Sequence, residues 1–212
     1  MGNERGRRTV APVRNERQRI LVLCEGKCTE PQYLGALRSK LRIPEQNLKL
    51  LCPPEIPNTP REMVEEAKRR KRNKQESYDH LWCVFDAEAK LTQQCRDGFR
   101  EALNSAKDAK ILIAMSNPCF EIWLCWHKAD QTAWIFSDAI QHRCKELGLT
   151  DAKQILNVDS LIRNSYEVAK NRAYSIEQAH DRNAKNAPED RNPSSSVFKL
   201  IDAINEAFSP SK

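Results

Sequence analysis

The sequence predicts an α/β domain built on a mostly parallel four-stranded sheet that is flanked by helices. Four short apolar runs, at residues 20–24, 48–51, 80–85 and 111–115, have the length and composition of buried strands. The segments between these runs repeat apolar residues at helical spacing. Because strands and helices alternate along the chain, the favoured arrangement is a parallel sheet covered by helices.

Capping patterns predict where the helices begin. Thr29 and Gln32 have the spacing of a capping box at the start of the first helix. Thr59 and Thr92 predict the starts of the second and third helices. The run at 116–118, Ser-Asn-Pro, predicts the start of a fourth helix, where Asn or Ser is the cap and the free backbone amides can hold a phosphate.

The chain divides into three parts. Residues 1–18 are polar and rich in Arg, which predicts a disordered arm. We expect residues 19–136 to form an α/β domain and residues 137–212 to form a helical extension packed on the same domain, with a polar loop at 183–196. A length of 212 residues fits one domain with such an appendage. We expect Trp82 and Trp134 to lie in the core.

Cysteine usage and hydropathy indicate a cytoplasmic protein without membrane association. The eight cysteines fall mostly within apolar patterns, and no C-x2-C pair provides half of a tetrahedral zinc site. Because the sequence carries no secretion signal, reduced thiols are expected. No apolar run approaches the roughly 18–20 residues that a membrane span needs.

Positive charge is concentrated in two clusters, within a formal net charge of +6. One is the leading arm, and the other is the run at 68–74. Basic clusters attract polyanions through counterion release, although a solvated tail and a solvated helix end explain each cluster equally well. The candidate contacts to nucleic acid are Arg5, Arg7, Arg8, Arg69, Arg70, Lys71 and Arg72.

Carboxylates follow three of the predicted strands. Glu25 ends the first strand and is followed by Glu30, Asp86 ends the third strand and is followed by Glu88, and Glu121 follows the fourth. Parallel strands lie about 5 Å apart, and their carboxyl ends meet at one edge of the sheet. Carboxylate oxygens are the ligands that Mg²⁺ and Mn²⁺ prefer. The pattern predicts a metal site that includes Glu25, Glu30, Asp86 and Glu88.

Each of these residues also has an ordinary explanation. A single Glu after a strand is usually a solvated turn residue, and D-x-E arises by chance in a chain that is 30% charged. Glu121 at a helix start can simply complement the helix dipole. The coincidence at several strand ends favours the metal site. His127 is open to three roles, as a ligand, a proton carrier or a satisfied core histidine, and we favour the last.

Four motifs together resemble the RloB-like family, a branch of the Toprim superfamily. They are Glu25-Gly26 with Thr29-Glu30-Pro31 and Tyr33, Asp86-Ala87-Glu88, Ser116-Asn117-Pro118-Cys119-Phe120-Glu121 with Trp123 and His127, and Asn192-Pro193-Ser194-Ser195-Ser196-Val197. The likeness extends from about Arg19 to Phe208. The first and third motifs are the specific ones.

The resemblance implies a Toprim-like fold and an Mg²⁺- or Mn²⁺-dependent nuclease of prokaryotic anti-phage, abortive-infection defence. It implies an acid/base or ligand role for Glu25, metal binding by Asp86 and Glu88, and a supporting catalytic role for Glu121. Toprim domains usually carry Asp where this chain has Glu88, which leaves the role of Glu88 open. The substrate is nucleic acid, with RNA, tRNA and DNA all open.

The family resemblance also implies a separately encoded ABC-like or AAA-type ATPase partner. The chain has no G-x-x-x-x-G-K-[ST] motif, so any control by ATP would come from that partner. Two other functions stay open at this point, a non-catalytic module that binds nucleic acid or the ATPase, and a hydrolase or phosphotransferase of small nucleotides. A homo-oligomer is also open.

Overall fold

The computed structural model describes residues 18–87, 92–152, 154–185 and 187–208, which form a mixed α/β fold. The strands are β1 (Ile20–Cys24), β2 (Leu48–Leu51), β3 (His80–Asp86), β4 (Leu112–Asn117), β5 (Thr150–Asp151), β6 (Gln154–Ile155) and β7 (Ser194–Ser195). The helices are α1 (Thr29–Lys40), α2 (Pro60–Arg72), α3 (Gln93–Asp108), α4 (Glu121–Trp126), α5 (Ser137–Glu146), α6 (Val158–Asn164), α7 (Tyr166–Arg182) and α8 (Val197–Phe208), with a 3-10 turn at Pro188–Asp190.

One five-stranded sheet organises the fold, in the order β2-β1-β3-β4-β7. Strands β1 to β4 are parallel, and Ile20 of β1 lies opposite Leu48 of β2 and His80 of β3. The mostly parallel sheet and its four predicted strands are confirmed, and the architecture is consistent with a Toprim-like fold. Strand β7 is antiparallel to β4 and pairs Ser195 with Ser116.

Helices cover both faces of the sheet, and each face has its own hydrophobic cluster. Alternate side chains of β1 supply the two clusters, Val22 with α1, α4 and the C-terminal helices, and Leu23 with α2 and α3. Every residue of β1 is fully buried. Burial on both faces explains why this strand is a continuous apolar run and does not alternate.

Two of the predicted helix caps are confirmed. The Thr59 hydroxyl accepts the backbone N–H of Glu62 at the start of α2, and the Thr92 hydroxyl accepts that of Cys95 at the start of α3. These bonds satisfy amide groups that a helix end otherwise leaves without a partner.

The capping box predicted for α1 is wrong. Cys28 occupies the cap position, and Thr29 already lies inside the helix, where its hydroxyl donates to the Glu30 carboxylate. The Gln32 side chain turns away to the short β5–β6 hairpin and exchanges two hydrogen bonds with the backbone of Ile155. Thr29 and Gln32 therefore have the spacing of a capping box, but their side chains contact Glu30 and the β5–β6 hairpin instead.

The predicted cap at Ser116-Asn117-Pro118 is also wrong. Strand β4 continues through Asn117, and the six-residue helix α4 begins at Glu121 without a side-chain cap. The Asn117 side chain is fully buried and donates to the carbonyl of Glu189, while its oxygen accepts from the Asn192 amide. These contacts tie the C-terminal segment to the end of β4, so the segment does not form a phosphate site at a helix start.

The segment after residue 137 is mostly helical, as predicted, and it packs on the sheet domain. Helices α5 and α7 contact α4, helix α6 contacts α1, and helix α8 contacts β4. The expectation that Trp134 belongs to the core is wrong, since 51% of its surface is exposed, whereas Trp82 is buried. The division at residue 137 stays a prediction, and residues 1–17 of the predicted arm lie outside the described residues.

Two expectations from composition can be compared with the structure. All eight cysteines lie in the described ranges, and all are free. None of the helices in the described ranges is both long enough and apolar enough to cross a membrane.

Candidate active site

Glu25 and Asp86 lie side by side at the carboxyl end of the sheet. The backbone N–H of Glu25 donates to the carbonyl of Val84 at 2.9 Å, which extends the pairing of β1 with β3 by one residue. The Glu25 carboxylate then accepts the backbone N–H of Asp86, with 2.8 Å between Oε2 and the nitrogen. The two residues predicted to converge are therefore in contact, and both are partly exposed.

Glu30 approaches the same turn from inside the protein. One carboxylate oxygen accepts the backbone N–H of Gly26 at 3.0 Å, and the other accepts the Thr29 hydroxyl at 2.8 Å. The side chain is buried, and a Cβ at Gly26 would lie only 2.0 Å from its Oε2. A side chain at position 26 would therefore displace the Glu30 carboxylate, which accepts the Gly26 N–H and fixes the turn that carries Glu25.

Burial raises the pKa of the Glu30 carboxyl above its ordinary value, and the negative charge of Glu121 raises it further. The hydrogen bonds from Gly26 and Thr29 oppose this shift. This electrostatic coupling indicates that Glu121, at the start of α4, lies near Glu30. The metal-ligand role of Glu30 stays a prediction, and its two internal hydrogen bonds favour a role in positioning the turn.

Replacing Glu30 by Gln is expected to reduce the pH dependence of stability. A raised pKa means that the folded state binds the proton more tightly than the unfolded state, so stability falls as pH rises from 4.5 through the folded pKa. Gln keeps the size but does not ionise. Urea unfolding in EDTA from about pH 4 to about pH 8 measures this difference. An exposed control, Glu45→Gln, should keep the wild-type profile. A Glu30→Gln profile equal to that of the wild type would contradict the prediction.

The Cys119 thiol lies near two of the candidate carboxylates, those of Glu121 and Asp86. Burial raises the pKa of its thiol, and the charges of Glu121 and Asp86 raise it further. The thiol therefore lies within electrostatic reach of both carboxylates. The sequence pattern indicated Glu121 and Asp86 but not this cysteine. A buried Cys in an apolar run cannot be told from any other small hydrophobic residue by sequence alone.

The described residues contain no group of three His, Cys, Asp or Glu side chains arranged to hold a metal ion. Glu88, a predicted ligand, lies outside the described residues. The remaining donors are the adjacent carboxylates of Glu25 and Asp86. This set suits Mg²⁺, which is typically bound through one or two carboxylates and completes its coordination with water and substrate phosphate.

A cavity of about 320 Å³ opens beside these two carboxylates. The start of α2 and one face of α3 form its other walls. Its lining residues are Glu25, Asn58, Thr59, Pro60, Arg61, Asp86, Cys95, Gly98 and Phe99. Arg61 was not singled out from the sequence, because it lies outside the basic clusters and nothing local distinguishes it from other exposed arginines.

The basic run lies at the other end of α2, about 12–18 Å from Pro60 of the cavity at 1.5 Å per residue. Arg69 and Arg70 form ion pairs with Glu66, and Arg70 also pairs with Glu76. Lys71 donates to the carbonyls that end α3, and Arg72 is exposed.

The structure therefore does not bring the basic run together with the carboxylates. Binding of nucleic acid by the run stays a prediction. Arg5, Arg7 and Arg8 lie outside the described residues, as does the rest of the arm before residue 18.

His127 is a satisfied core histidine, which was the favoured of its three interpretations. Its ring nitrogens contact the Tyr33 hydroxyl at 3.1 Å and the Ser165 hydroxyl at 2.9 Å. Because Ser165 donates its own proton to the carbonyl of Leu161, Nδ1 of His127 is the donor to Ser165 and Nε2 accepts from Tyr33. Burial lowers the pKa of His127 to about 4, so the ring is neutral at neutral pH.

The chain was compared with protein-family models, with curated proteins and with solved structures. A family model described as RloB-like protein matches residues 20–204, which is most of the chain. No curated protein and no solved structure matches the chain. The matched range contains all five candidate carboxylates, Glu25, Glu30, Asp86, Glu88 and Glu121.

Proposed function

The chain belongs to the RloB-like family, and we propose that it is a metal-dependent nuclease that cleaves phosphodiester bonds in nucleic acid. The observation that carries this proposal is the contact between Glu25 and Asp86, which puts two carboxylates from separate strands next to an open cavity. A Toprim-type catalytic centre agrees with this arrangement.

Glu25 and Asp86 are the residues that would hold Mg²⁺ or Mn²⁺, with Glu88 as a further candidate. When bound, such a cation stabilises the negative charge that develops on the phosphate and makes a water molecule more acidic. The protein holds the Glu25 carboxylate in one orientation through the Asp86 N–H, and it fixes the turn that follows Glu25 through Glu30. Glu121 adds negative charge, which favours a cation at this edge of the sheet.

The biological setting is part of the same proposal and rests on the family resemblance. We expect a role in prokaryotic anti-phage defence in which cleavage harms the infected host cell. Because the chain carries no phosphate-binding loop of the G-x-x-x-x-G-K-[ST] type, an ATPase encoded separately would supply control by ATP.

A second candidate is a module that binds nucleic acid or the ATPase without catalysis. The absence of a three-residue metal group from the described residues favours it. The ion pairs of Arg69 and Arg70 count against the basic run as its binding surface, because these charges are already partly compensated.

One assay separates these functions. The full chain is incubated with labelled tRNA, single-stranded RNA, DNA and free nucleotides, with Mn²⁺ or with EDTA. Cleavage of a polynucleotide that requires Mn²⁺ supports the nuclease. Salt-sensitive binding without turnover supports the binding module, and conversion of free nucleotides alone supports a small-nucleotide enzyme. Either of the last two results would contradict the proposed nuclease.

A further inference from the structure

The cavity beside Glu25 and Asp86 has the size of a small ligand site. Its volume of about 320 Å³ is at the lower end of the roughly 300–1,000 Å³ typical of ligand pockets. One nucleotide fits such a space, whereas a stacked base pair within a duplex does not. An enzyme that takes one nucleotide into a pocket acts on single strands or extrudes the nucleotide from a duplex.

The cavity combines a cationic group with the two carboxylates. Arg61 is the cation among its lining residues, and its guanidinium lies 3.7 Å from the Glu101 carboxylate. Both of these side chains are well exposed, at 72% and 65%, so the pair is weak. Arg61 can therefore exchange Glu101 for a phosphate group, to which a guanidinium donates paired hydrogen bonds.

Part of the cavity lining is apolar. It includes Pro60, Gly98 and Phe99. The Phe99 ring is buried and packs edge-on against Phe85, with 5.7 Å between ring centroids, so its position is fixed. A rigid apolar wall suits the face of a nucleobase, and contacts of this kind discriminate poorly among bases.

Gly98 leaves part of this wall open. It lies inside α3, and a Cβ placed there would meet no described atom within 4 Å. Gly35 inside α1 has the same open surroundings but does not line the cavity. A large side chain at position 98 should therefore reduce the cavity, while the same change at position 35 provides a matched control.

We propose that this cavity binds one nucleotide of a single-stranded nucleic acid, adjacent to the phosphate that is cut, and that Arg61 contacts a neighbouring phosphate of the same strand. The inference rests on the proposed nuclease function for the position of the scissile phosphate. It adds a substrate form, the single strand, and a binding residue outside both basic clusters.

The first test changes the charge. Arg61→Ala should raise KM for a labelled single-stranded oligonucleotide by roughly 10-fold, with a much smaller change in kcat, because one charged contact is lost. A plot of the logarithm of the binding constant against the logarithm of the salt concentration should become less steep by about one unit. Arg61→Lys should restore part of the affinity. The control Arg163→Ala, an exposed arginine on α6 at the other face of the sheet, should leave KM unchanged.

The second test fills the space. Gly98→Leu should raise KM by at least roughly 10-fold, whereas Gly35→Leu should not. Circular dichroism of all variants checks folding. If Gly98→Leu does not fold, Arg61→Ala still tests the same site, because the exposed Arg61 side chain is not part of the core.

The outcomes separate this inference from the nuclease proposal. Unchanged KM in both Arg61→Ala and Gly98→Leu, with metal-dependent cutting retained, would overturn the nucleotide site and leave the nuclease intact. If the wild type cuts nothing, fluorescence anisotropy measures how tightly each variant binds the same oligonucleotide. Weaker binding by both variants than by their controls supports the site, and equal binding overturns it.

Discussion

Replacing Glu25 by Gln, or Asp86 by Asn, is expected to lower kcat for metal-dependent cleavage by roughly 10³-fold. Each change removes one of the two adjacent carboxylate charges while keeping the shape of the side chain. Gln at position 25 still offers an oxygen to the Asp86 N–H, so the local hydrogen bond can persist. The measurement is single-turnover cleavage of a labelled substrate in saturating Mn²⁺, with titration of the metal to detect weaker binding.

The control for these variants is Glu45→Gln, an exposed carboxylate in the loop before β2, at the opposite end of the sheet. It should cut like the wild type. Thermal unfolding must show that the active-site variants are folded. Full activity in both Glu25→Gln and Asp86→Asn would remove the basis for the proposed chemistry.

Replacing Trp123 by Ala is expected to give the largest loss of stability, about 3–5 kcal/mol, because it removes a fully buried aromatic side chain. The ring packs edge-on against Tyr33 of α1, against His127, and against Tyr166 of α7. Trp123 therefore links the first helix of the sheet domain to the C-terminal helices. For a chain of this length the loss corresponds to a fall in Tm of roughly 6–20 °C.

Trp134→Ala is the matched control, since this tryptophan is 51% exposed and contacts Phe136 near the surface. Its effect on Tm should be small. Differential scanning calorimetry measures both variants. Similar shifts for Trp123→Ala and Trp134→Ala would contradict the assignment of Trp123 as the link between α1 and α7.

The parallel sheet and the adjacency of Glu25 and Asp86 could be predicted because both follow from short-range signals. A buried parallel strand needs a continuous apolar run, and β1 has one. Once neighbouring strands are parallel, the residues that follow them must emerge at the same edge. The strand register explains the contact, since Cys24 lies opposite Val84, and Glu25 and Asp86 follow these residues by one and two positions.

The features that were missed depend on contacts between distant parts of the chain. Strand β7 contains only two serines, so neither length nor hydrophobicity distinguishes it from a loop. Thr29 and Gln32 have the spacing of a capping box, but their partners are Glu30 and a hairpin more than a hundred residues away. Likewise, Arg61 belongs to the site only because α2 begins beside the carboxylates.

The late position of β7 in the chain has a consequence for synthesis on the ribosome. Ser194 and Ser195 pair with the outer edge of β4, and the side-chain oxygen of Asn117 accepts a hydrogen bond from the amide of Asn192. Translation supplies these partners some seventy-five residues after the edge itself has been made. The nascent chain therefore exposes an unpaired strand edge for several seconds, at about 5–20 residues per second. Full assembly of the sheet requires the chain through Ser195, so a growing chain cannot complete this sheet before that segment emerges.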